Sequence, residues 1–533
     1  MTRSILFRID NSENSGIGHV TRCHGIGEQL KTMGYEVYYA LDNSWPSELT
    51  FKVPLTERLI ILNSHRVESE QKFLLDFMAK NEILVLVLDS YKATNEWYHS
   101  FDDFRINLFF LDDSNSLDNP RVHKIPYGIR YFGDREQQKV SLGTEALKNV
   151  VLASQSEPLS KLPKNPTAKR VFVYMGSNPQ ECEVKCVISG VTRALKNFET
   201  EIEIALIKSK YVNQDLFNDL FYADKLSPTI QFLFLDFCES LLPIISSCDL
   251  VIGAANSIIY QTSVCLVPQI TFSLNPTQKN EDFQLEQIGH YFNLGSLDEF
   301  DDEHFSSFLC LALGRLSILK SLLSNAPDRP GFEGAKNIAA YIHARSTHSS
   351  KTHIHGGLNE VSENRLLANE DFTVREAKTS DVNLILEGRN IEATRKFMIS
   401  TKEISKSSHY TWWFTNKREN FIGLLGDTPC IYIWHEVREI RGEKFLVGGW
   451  TPLCKALHFS IILGALKWQL RTTSTKYPGL KWLAAVHKDN TVTQFLVNRI
   501  GFKEASSESR FFDFALEMFF AGVPTDEYLL YFS

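Results

Sequence analysis

A histidine set just behind two closely spaced glycines is the first chemically suggestive feature of this 533-residue chain. The stretch runs Arg8-Ile9-Asp10-Asn11-Ser12-Glu13-Asn14-Ser15-Gly16-Ile17-Gly18-His19-Val20-Thr21-Arg22-Cys23, between an apolar run and an amphipathic segment. Gly16 and Gly18 let the backbone approach a ligand closely and leave amides free at a helix start, a setting that favours phosphate. His19 can serve there as a general base or orient a water near neutral pH. Asp10 and Arg22 are near enough in sequence to complete a polar pocket. By themselves, these residues describe a tight turn with an exposed histidine equally well.

The elements that must position them are short apolar runs separated by amphipathic stretches. The clearest are Ile5–Ile9, Val37–Ala40, Ile83–Leu88, Leu108–Leu111, Val171–Tyr174, Ile202–Leu206 and Leu250–Ile252. Unbroken apolar strands of this length belong to parallel sheets covered on both faces, and their alternation with helices implies βαβ units. The motif then sits at the carboxyl edge of such a sheet, where open α/β folds bind ligands. Pro158, Pro163 and Pro166 mark a break, so two α/β domains are expected at 1–160 and 161–345, followed by a polar linker at 346–370. After Asp371 the texture becomes α+β, with six tryptophans (Trp412, Trp413, Trp434, Trp450, Trp468, Trp482) in a separate domain over 371–533.

Composition narrows the function classes. With 43% hydrophobic and 23% charged residues, the chain is globular, and its net charge of −8 is spread without a basic face, which argues against nucleic acid. The N-terminus lacks a signal-peptide profile. No apolar run reaches the roughly 20 residues needed to cross a bilayer. A cytoplasmic protein without a membrane partner is expected. The nine cysteines are scattered and fit reduced thiols. His348, His353 and His355 fall in the linker without supporting ligands, and no metal is expected.

The N-terminal motif resembles the signature of the UDP-sugar hydrolases of pseudaminic-acid biosynthesis and related spore-coat polysaccharide proteins, which share the two-domain GT-B fold of MurG-type glycosyltransferases. The resemblance runs through roughly residues 3–340. Leu88-Asp89-Ser90-Tyr91 is similar to the family's Asp-x-Tyr segment, whose tyrosine helps hold the attacking water, and Leu111-Asp112-Asp113 to an acidic pair. Tyr174-Met175-Gly176-Ser177-Asn178 stands where the family has a Gly-Gly-Thr-Asp turn. Asp249 to Ser257 resembles the stretch that cradles the nucleotide phosphates, with Gln278 closing the site. Gln261 replaces the family's ribose-binding glutamate, and Met175 replaces a glycine.

The resemblance implies two Rossmann-like domains in a GT-B arrangement and release of UDP from a 2,4-diacetamido-2,4,6-trideoxyhexose. The free sugar would supply nonulosonic acids for flagellin or surface polysaccharide. The implied catalytic residues are His19, Asp10 and Tyr91. The implied substrate contacts are Gly16, Gly18, Arg22, Gly176, Ser177, Asn256, Ser257, Gln261 and Gln278. A GT-B glycosyltransferase with a UDP-sugar donor and a non-catalytic nucleotide-sugar scaffold stay open as alternatives.

The C-terminal stretch from Leu483 to Gly501-Phe502 resembles the closing motif of GNAT acetyltransferases, with Asn490 at a helix start. Phe372 to Asp381, Arg389-Asn390, Arg395 and His409-Tyr410-Thr411-Trp412-Trp413-Phe414 are similar to acetyltransferases of the same pathway. The resemblance implies acetyl-CoA, with Lys455 and Asn490 as its contacts, and acetylation of a 4-amino precursor sugar. The region Pro452 to Ser460 lacks the family's glycines, and Val497 stands in place of its tyrosine.

Overall fold

The structure is a computed structural model of the whole chain. It describes residues 3–10, 18–42, 58–62, 67–90, 97–98, 101, 106–112, 119, 121–128, 147–152, 162–176, 181–196, 198–208, 212, 229–236, 240–274, 282–297, 302–347, 372–454, 457–523 and 526–533. The chain forms two compact units, Met1–His353 and Ile354–Ser533. The break expected near 160 and most of the linker at 346–370 lie outside the described residues.

In the first unit, β1 (Arg3–Ile9), α1 (Gly18–Thr32), β2 (Tyr35–Asp42), β3 (Leu59–Leu62), α2 (Val67–Lys80), β4 (Val85–Asp89), β5 (Asn107–Asp112) and β6 (Val122–Pro126) make the first sheet and its helices. The sheet order is β3-β2-β1-β4-β5-β6 and all its pairings are parallel. This is the doubly wound order, and the direction of winding reverses between β1 and β4. Strand β1 is buried on both faces from Ile5 to Ile9, as its unbroken apolar run requires. Helix α1 turns Val20, Cys23, Ile26 and Leu30 inward at three- to four-residue spacing.

The second sheet is built from β7 (Lys169–Tyr174), α3 (Glu181–Leu195), β8 (Ile202–Ile207), β9 (Ile230–Leu235), α4 (Leu242–Ser246), β10 (Leu250–Ala254), α5 (Ile258–Cys265), β11 (Gln269–Ser273), α6 (Asp282–Gln287) and β12 (Phe292–Ser296). Its order, β12-β11-β10-β7-β8-β9, repeats the first sheet's winding, with the reversal between β7 and β10. Two Rossmann-like sheets are thus present, as the sequence implied. Helices α7 (Asp302–Gly314), α8 (Leu316–Ser324) and α9 (Gly334–Thr347) follow. Helix α9 returns to the first sheet, where Ala335, Ile338, Ala339 and Ile342 join the core formed by Val20, Cys23, Ile26 and Leu30. Burying its two isoleucines contributes about 1.5–3 kcal/mol each. Among the described residues no single helix is long and apolar enough to cross a membrane.

The second unit holds β13 (Phe372–Glu376), α10 (Val382–Asn390), α11 (Glu392–Arg395), α12 (Lys406–Thr415), β14 (Glu419–Leu425), β15 (Thr428–Ile440), β16 (Glu443–Pro452), α13 (Phe459–Lys476), β17 (Lys481–His487), α14 (Thr491–Arg499), β18 (Lys503–Glu504), α15 (Arg510–Phe520) and β19 (Tyr528–Phe532). Its seven strands run β13-β14-β15-β16-β17-β19-β18. Pairing is antiparallel except between β16 and β17, which pair in parallel through Phe445↔Lys481 and Leu446↔Trp482. This is the α+β domain expected after Asp371. Helix α13 starts at Phe459, three residues later than the apolar pattern from Ala456 indicates, because His458 supplies its cap.

Candidate active site

The reversal between β1 and β4 sets Asp10 and Asp89 side by side at the carboxyl edge, with the Asp10 amide donating to the Asp89 carbonyl at 2.9 Å. Helix α1 leaves the same edge and delivers His19 and Arg22. The Asp89 carboxylate is 1% exposed and accepts from four donors. Oδ1 takes His19 Nδ1 at 2.6 Å and Arg22 Nη2. Oδ2 takes Arg22 Nε at 2.5 Å and the Cys23 thiol at 3.3 Å. These bonds fill the four lone-pair sites of a carboxylate.

Burial alone would raise the Asp89 pKa, but the charges and hydrogen bonds of Arg22 and His19 outweigh it and hold the carboxyl well below the usual range. Burial, then the neighbouring Asp89 charge, pushes the Cys23 thiol up, so it stays a protonated donor. An ionised Asp89 only accepts, so Nδ1 of His19 carries the proton and the basic nitrogen of the ring is Nε2. Arg22 is fixed from its other side by Tyr127, whose ring centroid lies 4.5 Å from the guanidinium carbon. The Val151 amide in turn donates to the Tyr127 hydroxyl at 3.1 Å.

Asp10 belongs to an adjoining network. Arg8, 1% exposed on β1, donates through Nη1 to Asp10 Oδ1 at 2.6 Å. Its Nε and Nη2 grip Glu70 of α2 at 2.6 and 3.1 Å. The Ser90 hydroxyl donates to Asp10 Oδ1 at 2.8 Å. The histidine–carboxylate pair is therefore made with Asp89, while Asp10 is held by Arg8 and Ser90. Gly18 heads α1, and a Cβ there would meet nothing within 4 Å. Gly16 and Tyr91 lie outside the described residues, as does the Asp112 side chain.

At the second reversal, Gly253 is required by contact: a Cβ would come within 2.5 Å of the Tyr174 carbonyl oxygen on the neighbouring strand. Gly176 turns the chain after β7 with φ at +109°, and its Cβ position lies 3.6 Å from Asn256 Nδ2. Gly176 and Asn256, read separately from the sequence, therefore share one edge. In the stretch likened to a phosphate cradle, the amides after β10 are largely committed within the protein. Ala255 donates to the Phe272 carbonyl at 2.7 Å, Asn256 to the Ala254 carbonyl at 2.8 Å, and Ile258 to Asn256 Oδ1 at 3.1 Å. Ser257 is exposed and makes no side-chain cap, and Gly176 and Asn256 on the same edge are half-buried. Gln261 Oε1 is buried with no hydrogen-bond partner among the described residues. Ser177 and Gln278 lie outside the described residues.

Below this edge, Thr262 donates to Gln269 Oε1 at 2.9 Å and lies 3.0 Å from His290 Nε2, which also meets the Ile259 carbonyl at 3.0 Å. Burial drives the His290 imidazole down to about 4. It is neutral at physiological pH and supports α5 from beneath.

The Asn490 side chain accepts from the Thr493 amide at 3.0 Å and caps α14. At the start of α13, His458 Nδ1 accepts from the Ser460 amide at 3.3 Å and lies 2.7 Å from the Ser460 hydroxyl. The imidazole thus caps one amide at that helix end. Lys455 lies outside the described residues.

Sequence reading missed Asp89 as the partner of His19, together with Arg8, Glu70 and Tyr127. Asp89 had a signal: it ends an apolar strand at the same edge as Asp10. Glu70 and Tyr127 are distant in sequence and polar for reasons that only the fold supplies.

No protein-family model and no curated protein matches the chain. Among solved structures, MurG from Acinetobacter baumannii is similar at 15% identity and TM-score 0.43, over 64% of this chain and 99% of MurG. MnaA from S. aureus, solved with UDP, is similar at 8% identity and TM-score 0.43, over 66% of this chain and 99% of its own. A glycosyltransferase from Rickettsia africae is similar at 11% identity and TM-score 0.39, over 65% of this chain and all of its own.

Proposed function

We propose that the N-terminal unit hydrolyses a UDP-sugar of the 2,4-diacetamido-2,4,6-trideoxyhexose class to UDP and the free sugar, as the motif resemblance implies. The observation that carries this reading is the 2.6 Å bond from His19 Nδ1 to buried Asp89, which directs the basic Nε2 of the ring toward proton transfer. In the proposed step a water oxygen attacks the anomeric carbon while the bond from that carbon to the diphosphate oxygen breaks. His19 takes the water's proton at Nε2, and Asp89 steadies the resulting imidazolium. The Arg22 guanidinium keeps Asp89 ionised and oriented without leaving it. Ser257, Gly176 and Asn256 would receive the diphosphate, and the unpartnered Gln261 Oε1 would accept a ribose hydroxyl.

The test is UDP release from such UDP-sugars with no acceptor added, wild type against His19→Ala. Release that depends on His19 supports the hydrolase. Release that requires an added sugar acceptor would point to a transferase, and binding of UDP without turnover would point to a scaffold.

A further inference from the structure

Residues 147–152 join the cores of both sheets of the first unit. Leu147, Val150 and Leu152 are buried with Leu242 of α4, Ile259 and Tyr260 of α5 and Leu285 of α6. Val151, between them, packs instead against the core that β1 and α1 share with α9. Polar bonds pin the same segment. Asn149 Nδ2 donates to the Pro126 carbonyl at the end of β6 at 2.8 Å, and Asn337 Nδ2 of α9 donates to the Lys148 carbonyl at 2.8 Å. Gly334, at the start of α9, lies so close to the Val150 carbonyl that a Cβ has no room.

Tyr127 is where this segment meets the His19 network. It follows β6 and is buried, its hydroxyl accepts from the Val151 amide at 3.1 Å, and the Arg22 guanidinium carbon lies 4.5 Å from its ring centroid. The next residue, Gly128, has φ at +73°, and a Cβ there would collide with the Tyr260 hydroxyl. Tyr260 belongs to α5, the helix that Ser257 precedes and that carries Gln261. Two arms from the second half therefore end on Tyr127 and Gly128. On the other side of the ring, Arg22 grips both Asp89 oxygens. Its Nη2 also lies 3.3 Å from His19 Nδ1, which donates to the same Oδ1 at 2.6 Å. Two donors share one oxygen at close quarters, so the guanidinium must keep its angle for the imidazole to keep its bond.

We propose that Tyr127 is a positioning residue for His19: its ring braces Arg22 against Asp89, and its own pose is set by the segment that packs on α5. A cation over a buried aromatic face is held by the ring's quadrupole as well as by packing, whereas an aliphatic side chain in its place fills space without that attraction. The hydroxyl bond to Val151 fixes the ring's tilt, and Tyr260 fixes the backbone beside it. The proton at Nδ1 of His19 thus depends on both halves of the unit. The inference rests on the hydrolase reading for the reacting atom, Nε2 of His19, and adds to it a residue from outside the N-terminal motif.

The test compares Tyr127→Leu and Tyr127→Phe with wild type in the full chain, each with a native far-ultraviolet dichroism spectrum. One readout is the ring-nitrogen resonances of isotope-labelled histidine, with His19→Gln identifying the signal; the other is UDP release from the UDP-sugar. Wild type should show His19 protonated at Nδ1. Tyr127→Leu should add the Nε2-protonated tautomer and lower kcat about tenfold, with KM changed by less than about threefold. Tyr127→Phe keeps the ring and loses only the Val151 bond, so it should fall between the two and nearer wild type. Tyr127→Met carries the leucine variant's expectation where that variant does not fold. A residue that only filled space would lower stability and leave the tautomer alone. Wild-type resonances in folded Tyr127→Leu, a phenylalanine variant no better than the leucine one, or a raised KM with kcat intact overturns the proposal. Absence of UDP release by wild type would end the hydrolase reading, while a changed tautomer in Tyr127→Leu would still uphold the positioning of His19.

Discussion

Replacing Asp89 with asparagine changes one oxygen to an amide nitrogen and removes the charge on which four donors converge. The amide's NH2 can no longer accept from Arg22 or Cys23, and turned toward His19 it would favour an acceptor at Nδ1. The imidazole proton then moves to Nε2, and the nitrogen that should accept a proton already holds one. Loss of the correct tautomer in such a pair costs about 10²- to 10⁴-fold in turnover, or roughly 3–5 kcal/mol of barrier. The buried Arg22 guanidinium also loses its counter-charge, which costs about 3–5 kcal/mol of stability. The assay is UDP release at saturating UDP-sugar with thermal unfolding measured in parallel. We expect kcat to fall by that factor, KM to change by less than about threefold, and the N-terminal unit to melt earlier. His19→Gln serves as a companion that keeps a side chain against Asp89 and leaves Arg22 paired, and it should lose kcat without the stability loss. Wild-type kcat in folded Asp89→Asn, or a raised KM with kcat intact, would refute the positioning role.

Three further outcomes follow from the same geometry. Burial depresses both His290 and His409 to about 4 from an ordinary 6.5, so the unfolded chain binds more protons between those values. Stability from both histidines is complete above pH 6.5 and declines as pH falls toward 4. Melting at pH 7.5 against pH 5 should show the loss, and His409→Leu should flatten it for the second unit. Gln261→Leu should raise KM for the UDP-sugar about tenfold with little change in kcat, since it removes a binding acceptor rather than a reacting group. Gly253→Ala should destabilise the first unit by about 1–3 kcal/mol through its clash with the Tyr174 carbonyl, read by denaturant unfolding.

The central strands were legible because burial on both faces leaves an unbroken apolar run, as in Val85–Asp89 and Leu250–Ala254. Edge strands such as Leu59–Leu62, Val122–Pro126 and Phe292–Ser296 were not, since they are short or mixed in polarity. Gln269–Ser273 is central yet polar, because Gln269, Thr271 and Ser273 are all buried on one face of the strand, where Gln269 accepts from Thr262 of α5. The motif placed His19 correctly at a sheet edge. Choosing between Asp10 and Asp89 as its partner required the strand order, because adjacency of β1 and β4 decides which carboxylate α1 meets. In the second unit, the tryptophan cluster was visible, but the Arg418 guanidinium resting on Trp434 comes from another strand's approach.

The return of α9 to the first sheet bears on how the chain is made. All six strands of that sheet have been synthesised by Pro126, yet the surface of α1 that faces α9 stays uncovered until Gly334–Thr347 emerges. During translation the first half must therefore wait, with apolar side chains open, while the entire second sheet is completed. A nascent chain halted between these points should be sensitive to protease and drawn to chaperones, and full protection should arrive only with the closing helix. The two Rossmann-like halves are consequently a single unit of biosynthesis, and a gene cut between them would yield a first half without its last packing partner.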